Sequence, residues 1–445
     1  MDANENPYGS SFGGVTGLNR YPDPLQQELK ARISDTTGIQ GGSLVVGNGS
    51  DEILDLLVRA TTLPGRSNVI TIPPTYGMYG VVARTNNVEV REVLPAEDFS
   101  FTAGNIMKAV DVETRIIFIC SPNNPTGMLA PRDEVISLAE QFEGLVVIDE
   151  AYIDFSGTGG FLSLLDDYEN VFILRTFSKA RAMAGARLGI GFGHPFLVKV
   201  LNDIKMPYNV NSLTLAAALN NIDREEMYRS RIGRIINSRE KLSRELQNIN
   251  GIAKVFPSDA NFILVRVDRP RELYDYLLGR GIVVRDRSNM PLCEGCLRIS
   301  IGTENENDIL VEEIKNFFTG TKSGGAEDRE RQLTKSRRTR ETDILVDINL
   351  DGRGIADVQT GSGFLDHMLE LFAFHSRTDM LIRVAGDTQV DMHHTVEDIA
   401  ITLGQSLNEL LGSRKGVNRY GFVMPMDESR ATVAIDTGGR NMLVW

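Results

Sequence analysis

A lysine set among small residues, Lys179 in Thr176-Phe-Ser-Lys-Ala180, follows the apolar run Val171-Phe-Ile-Leu174. An amine placed just past a buried strand is a candidate Schiff-base nucleophile, because partial desolvation and nearby cations lower its pKa and free its lone pair. Hydroxyls at Thr176 and Ser178 flank it, and Arg187 lies eight residues on. Two hydroxyls and a guanidinium could hold a phosphate dianion through charge-assisted hydrogen bonds. The plain alternative is a surface Ser-Lys loop.

Other polar residues fall where they could complete such a site. Asp149 and Tyr152 follow Leu145-Val-Val-Ile148, and Asn124 follows Arg115-Ile-Ile-Phe-Ile-Cys120. Val45-Val46-Gly47-Asn48-Gly49-Ser50-Asp51-Glu52 reads as strand, glycine turn and helix start, with Ser50 or Asp51 as N-cap and free backbone N–H groups for an anion. Lysine and phosphate cradle together are what pyridoxal 5'-phosphate (PLP) needs. Asp149 would then keep the pyridine nitrogen protonated, Tyr152 and Asn124 would hydrogen-bond the 3'-oxygen, and Tyr76 would stack on the ring. Singly, each has an ordinary use as strand-end cap, packing ring or turn former.

The elements that must position these groups alternate. Apolar strands are followed by helical patterns such as Arg132 to Phe142, which predicts βα units and a mainly parallel sheet. In such sheets ligands bind beyond the carboxyl ends of strands, where Asn124, Asp149, Tyr152 and Lys179 all fall. Helix is predicted over Leu25 to Thr36, Leu213 to Asn221, Arg224 to Asn248 and Glu304 to Phe318. Strand is predicted over Asn261 to Arg266, Gly281 to Arg285 and Leu297 to Gly302. This second pattern fits a smaller α+β lobe. Arg285 and Arg298 lie on or beside its strands, where an arginine serves an anionic substrate or an ion pair.

The chain has 445 residues, 42% of them hydrophobic and 24% charged, enough for two or three domains. A net charge of −13 gives no reason to propose nucleic acid or an anionic membrane as partner. Cys120, Cys293 and Cys296 cannot make a disulfide framework, and Cys293-Glu-Gly-Cys296 has no second pair to complete a zinc site. No apolar run reaches transmembrane length and the first residues do not resemble a signal peptide, so a cytoplasmic location is the expectation.

Residues 2–320 resemble fold-type I PLP-dependent aminotransferases, and within them the histidinol-phosphate aminotransferase family. The carriers are Asp2-Ala-Asn-Glu-Asn-Pro-Tyr-Gly9, Asn19-Arg-Tyr-Pro-Asp-Pro24, Gly47-Asn-Gly-Ser-Asp-Glu52, Asn123-Asn-Pro-Thr-Gly127, Asp149-Glu-Ala-Tyr152, Thr176-Phe-Ser-Lys-Ala180 with Gly185-Ala-Arg187, Pro207-Tyr-Asn-Val-Asn211 and Leu297-Arg-Ile-Ser-Ile-Gly-Thr303. The resemblance implies an α/β large domain over 1–210 and a smaller domain over 211–320. It also implies that Lys179 bonds the cofactor and moves the substrate proton, and that Asp149, Tyr152 and Asn124 serve the ring. Ser50, Asp51, Ser178 and Arg187 would serve the cofactor phosphate, with Tyr21 arriving from the other subunit of a homodimer. Arg285 and Arg298 would hold the phosphate of histidinol phosphate, and Tyr8 would close over it. Glutamate and 2-oxoglutarate would be the other substrate pair. The family carries a helical segment before the loop at which Met1 stands here.

A polar stretch from Gly320 to Gln332 reads as part of a linker over 321–336. Beyond it lie four of the five histidines. His393-His-Thr-Val-Glu397 puts His394 and Glu397 on one helix face, and with His367 they make a plausible shell for a divalent ion; the alternative is a polar loop. Residues 337–445 resemble the first half of imidazoleglycerol-phosphate dehydratase, through Arg340-Glu-Thr342, Asn349-Leu-Asp-Gly352, Gly363-Phe-Leu-Asp-His-Met-Leu369, Gly386-Asp387, Asp391-Met-His-His-Thr-Val-Glu-Asp398, Arg419-Tyr-Gly421, Pro425-Met-Asp-Glu428 and Gly439-Arg440. That family has two related halves and binds manganese between them. The resemblance implies His367, His393, His394 and Glu397 as ligands, Glu341 as acid/base, and Arg419 and Arg440 as phosphate contacts. The second half is not in the sequence, so the expectation is a bifunctional histidine-biosynthesis fusion cut at both ends, with half a metal shell and an inactive dehydratase. Two other functions fit the residues less well: a PLP decarboxylase of a phosphorylated amino acid, and a non-catalytic assembly chain.

Overall fold

The computed structural model describes residues 3–6, 8, 17–320, 331–386, 392–412, 423–426 and 429–432. The chain divides into two compact units, 1–323 and 324–445.

The first unit is built on a seven-stranded sheet. Its strands are β1 (Leu44–Asn48), β2 (Asn68–Thr71), β3 (Glu89–Glu92), β4 (Thr114–Cys120), β5 (Leu145–Asp149), β6 (Val171–Thr176) and β7 (Leu188–Gly193). Their order is β1-β7-β6-β5-β4-β2-β3. All ladders are parallel except the two made by β7, which runs against β1 and β6. The central strands are continuous apolar runs because both faces are covered. Along β4, Ile117 and Ile119 enter one core while Ile116, Phe118 and Cys120 enter the other. Helices Gln27–Thr37 and Arg132–Gln141 cover the first face, and Ser50–Thr61, Met78–Thr85 and Pro195–Ile204 the second.

The helix Ser212–Ile222 buries Ala218 and Ile222 in the first of these cores. The boundary expected at 210 therefore moves beyond Ile222, because an apolar helix face went to the larger sheet that could cover it. Past the helix Glu225–Gln247, a four-stranded antiparallel sheet forms the smaller lobe. It comprises β8 (Ile252–Val255), β9 (Phe262–Val267), β10 (Arg285–Asp286) and β11 (Cys296–Ser300), ordered β10-β11-β9-β8. One face packs Ile263, Val265, Leu297 and Ile299 against helices; the other carries Phe262, Leu264, Cys296 and Arg298. The strand expected over Gly281 to Arg285 shrinks to two residues. Gly281 takes a positive φ of 74° and closes the turn after the helix Pro270–Gly279.

The second unit has a sheet ordered β12-β13-β15-β14, from Gln332–Arg338, Thr342–Asn349, Asp379–Gly386 and Ala356–Gln359 respectively. Helices Gly363–Ser376 and His393–Leu411 cover a core of Ile344, Val346, Ile348, Ile382 and Ile399. A short hairpin, β16 (Val423–Met426) with β17 (Ser429–Thr432), follows. Residues 332–336 belong to β12 and not to a linker: their alternation of exposed and half-buried side chains is a strand pattern that polarity hid. Among the described residues no helix is long and apolar enough to cross a membrane.

Candidate active site

Between Thr176 and Leu188 the chain leaves β6, passes Lys179 and Arg187, and returns antiparallel as β7. The loop thus opens at the carboxyl end of the parallel strands. Thr176 is buried; its hydroxyl donates to the Leu188 carbonyl at 3.2 Å and accepts from the Ser178 N–H at 3.1 Å. It shapes the loop and also lines the cleft in which the sequence places it.

The helix Ser50–Thr61 brings its start to the same place. Its N-cap is Gly49, at φ 77°, not Ser50 or Asp51. The Gly49 N–H donates to the Arg187 carbonyl at 3.0 Å, and a Cβ on Gly189 would come within 2.3 Å of the Ser50 nitrogen. Only glycine lets the helix start approach β7 this closely. With capping left to backbone geometry, the Asp51 carboxylate is available to groups across the cleft. It accepts from the Tyr76 hydroxyl at 3.1 Å and lies 3.3 Å from Arg187 Nη2.

Ser50, Asp51, Tyr76, Cys120, Asp149, Ala151, Tyr152, Thr176, Ser178, Lys179 and Arg187 line one cleft of about 460 Å³. Asp149, at the end of β5, is its buried floor. One carboxylate oxygen accepts from Tyr79 at 2.8 Å and the other from the Ala151 N–H at 3.0 Å. Burial raises its pKa to about 6, against the pull of these two bonds. Lys179 reaches solvent through the cleft mouth. The protein around it, then the Arg298 and Arg187 guanidiniums, lower its pKa, and its Nζ stands 5.5 Å from the Tyr152 ring centre. Tyr152 packs edge-on against Phe262 of the small sheet, and burial pushes its hydroxyl pKa up. Asn124 donates to that hydroxyl at 3.4 Å and accepts from Arg298 Nη1 at 2.6 Å, which ties the two lobes together at the cleft. Arg285 stands opposite Arg298 in the β10–β11 register.

This donor set fits PLP: an amine for its aldehyde, a buried carboxylate for its pyridine nitrogen, and a guanidinium with helix-start N–H groups for its phosphate. Tyr79, which grips Asp149, was not foreseen. It sits fully buried inside the helix Met78–Thr85, stacked on Phe118, and reads from sequence as one more core ring. Cys120, which the sequence marks only as a free cysteine ending an apolar strand, also lines the cleft.

Five expected contributors, Tyr8, Tyr21, Asn124, Arg285 and Arg298, are not among the residues that line this cleft. Tyr8 is 95% exposed, and Tyr21, 57% exposed, stacks on Tyr208 with ring centres 4.5 Å apart. Cys293 and Cys296 are free and buried.

In the second unit, His367 lies exposed on the helix Gly363–Ser376, and His393, His394 and Glu397 lie exposed at the start of the helix His393–Leu411. The four do not converge. His393 Nε2 is 3.8 Å from Glu397 Oε2, while His394 Nδ1 is 3.7 Å from Glu341 Oε2. On a helix, residues three and four apart are neighbours, so His393 and His394 both lie on the side of Glu397, as the spacing predicts. Among the described residues no three His, Cys, Asp or Glu are grouped to hold a metal. A manganese shell is not seen among the described residues. Arg419 and Arg440 lie outside the described residues.

The fold and cleft are those of a PLP-type transferase, and the chain belongs to the class I and II aminotransferases, whose family it matches over residues 6–314. It is 47% identical over 315 residues to the histidinol-phosphate aminotransferase of Flavobacterium psychrophilum, covering 71% of this chain and 89% of that one. It is 46% identical over 317 residues to that of Cytophaga hutchinsonii, covering 71% and 90%. Solved structures agree. The histidinol-phosphate aminotransferase of Clostridium acetobutylicum superposes with TM-score 0.64 at 27% identity, over 68% of this chain and 92% of its own. That of Sinorhizobium meliloti, in complex with pyridoxal-5'-phosphate, gives 0.63 at 26%, over 68% and 84%. Residues 360–445 match the imidazoleglycerol-phosphate dehydratase family.

Proposed function

We propose that the first unit transfers the amino group between histidinol phosphate and 2-oxoglutarate, giving imidazole acetol phosphate and glutamate, in L-histidine biosynthesis. What carries the reading is one constellation: a lysine of lowered pKa, a buried carboxylate and an anion cradle in one cleft, beside arginines, in a chain close to named histidinol-phosphate aminotransferases.

PLP, when bound, supplies an aldehyde that exchanges amines and a ring that accepts electrons. Lys179 would hold it covalently and move the proton at the substrate carbon. Its lowered pKa leaves more free amine at neutral pH than an ordinary lysine has. Asp149, mostly ionised at pH 7, would serve the pyridine nitrogen. Tyr152 and Asn124 would serve the 3'-oxygen, and Tyr76 the ring face. Ser50, Ser178 and Arg187 would hold the cofactor phosphate. A carboxylate would repel that dianion, so Asp51 serves through its backbone N–H and by aiming Tyr76 and Arg187.

Arg285 and Arg298 hold the substrate phosphate, and Tyr8 closes over it. The exposed Tyr21 belongs at the other site of a homodimer. Cytoplasm is the expected compartment. The second unit we read as a dehydratase-like module containing Glu341. With no metal-holding group assembled among its described residues, we expect no manganese-dependent dehydration of imidazoleglycerol phosphate from it alone; turnover there would contradict this.

The central test is the visible spectrum of the protein with PLP, before and after histidinol phosphate. A band that requires Lys179 and bleaches on substrate, with oxo product and no CO2, is expected. Folded protein without such a band would overturn the cofactor site; a band indifferent to histidinol phosphate would overturn the substrate.

A further inference from the structure

The cleft face of the small sheet carries one more arginine than the sequence reading used. Arg285 pairs with Arg298 across β10 and β11, and the Arg287 N–H donates to the Cys296 carbonyl at 2.9 Å. The ladder thus continues two residues past Arg285. By strand alternation Arg287 lies on the same face as Arg285, Arg298 and the buried Cys296. It is half-buried, and its Nε is shut from water without an acceptor; the Nε of Arg298 is in the same condition. The adjacent Asp286 carboxylate accepts from the Ser288 N–H at 2.8 Å instead. Arg298 spends one nitrogen on the Asn124 side-chain oxygen, a neutral partner. Burial and its neighbours Arg285 and Arg287 make Arg298 a less comfortable cation, and Arg287 is affected likewise by burial and Arg285.

Three guanidiniums on one face repel one another unless an anion sits among them. One arginine satisfies a carboxylate in bidentate fashion. Two or three converge on a phosphate dianion, whose three terminal oxygens can each accept more than one N–H. The Nε atoms of Arg287 and Arg298, both without an acceptor, are donors suited to such a ligand.

We propose that Arg287 is a specificity-determining residue of the substrate site, the third guanidinium that sets its preference for a phosphate monoester. This rests on histidinol phosphate being the substrate. The test compares histidinol phosphate with histidinol, which lacks only the phosphate. Protein loaded with pyridoxamine 5'-phosphate cannot turn over either amine, so calorimetry reads binding alone. Arg287→Gln weakens histidinol phosphate about 10- to 100-fold, as expected for a lost charged hydrogen bond, and leaves histidinol unchanged. Arg287→Lys keeps the charge but not the fork, and gives a smaller loss. If the Gln variant fails to retain cofactor, the Lys variant carries the comparison, and an unchanged preference there overturns the proposal. Equal losses for both ligands also overturn it, since Arg287 would then be structural. Wild-type protein with no preference for histidinol phosphate over histidinol would instead sink the substrate reading itself.

Discussion

Tyr79→Phe removes one oxygen from a fully buried ring and leaves its stacking on Phe118 intact. What is lost is one of the two hydrogen bonds that hold the Asp149 carboxylate against burial. A hydrogen bond to a charged group is worth roughly 1.5–3 kcal/mol, and one pKa unit is about 1.4 kcal/mol. The carboxyl, at about 6 in the native protein, therefore rises to ~7–8 in the variant. Because the native pKa is already above the ordinary 3.8, the proton-bound form is favoured by folding. The competent carboxylate is gained, not lost, as pH rises. At pH 7 the wild type is about nine-tenths ionised and the variant roughly a tenth to a half. If PLP needs the carboxylate, its apparent affinity at pH 7 falls about 2- to 10-fold, in proportion to the competent fraction. By pH 9 the deficit closes. The assay is PLP titration by the Lys179-dependent visible band, with the ratio of variant to wild-type affinity taken from pH 6 to 9, so that titrations of PLP itself cancel. A ratio independent of pH would refute the reasoning, because Tyr79 would then act by packing alone.

Gly189→Ala puts a methyl within van der Waals overlap of the Ser50 nitrogen; it should displace the helix start and lower PLP affinity at least tenfold, while circular dichroism stays nearly unchanged. Arg239, buried, donates to the carbonyls of Phe155 and Ala260 at 3.0 and 2.9 Å and so bridges the lobes. Arg239→Ala leaves both unpaired and should cost about 2–4 kcal/mol in urea unfolding; a loss under ~0.5 kcal/mol, the range of ordinary surface substitutions, would contradict the bridge. In the second unit, hydrogen bonds from Thr342, then Arg337, hold the Asp398 carboxyl below its ordinary pKa. Its stabilising effect is present above the unfolded pKa and is lost as pH falls through the native one. Asp398→Asn should therefore lower that unit's unfolding midpoint at pH 7 and flatten its decline below pH 4; parallel profiles would show that the bonds contribute nothing.

The strands and the site residues at their ends were legible because burial on both faces writes itself as unbroken apolar runs. A polar group just after such a run has few places to go but the carboxyl end of the sheet. Asn124, Asp149, Tyr152 and Lys179 were found this way. Legibility failed where tertiary contact decided between equal local options. Ser212–Ile222 is amphipathic and suits either lobe; only the larger core could bury Ile222. Gly49 took the cap because β7 approaches through Gly189, a contact between residues far apart in sequence. Thr176 lines the cleft, and that its hydroxyl also bonds its own loop could not be read from the sequence. Tyr79 and Arg287 carried no signal: one resembles packing, and the other lies past the end of a two-residue strand. For the histidines, helical spacing fixes which residues share a face, not whether a third element arrives to meet them.

The hairpin of β6 and β7 carries both Lys179 and Arg187, and the backbone bond from Gly49 to Arg187 fastens the helix start to the same loop. Amine and phosphate-side cation therefore move as one piece of the large sheet. Arg298, which the substrate would meet, rides on a different sheet and reaches the large lobe's cleft through its bond to Asn124. Asn124 therefore couples the two sides: the residue set beside the Tyr152 hydroxyl also holds Arg298, so an anion drawn to the small sheet acts on the cofactor's seat through that side chain.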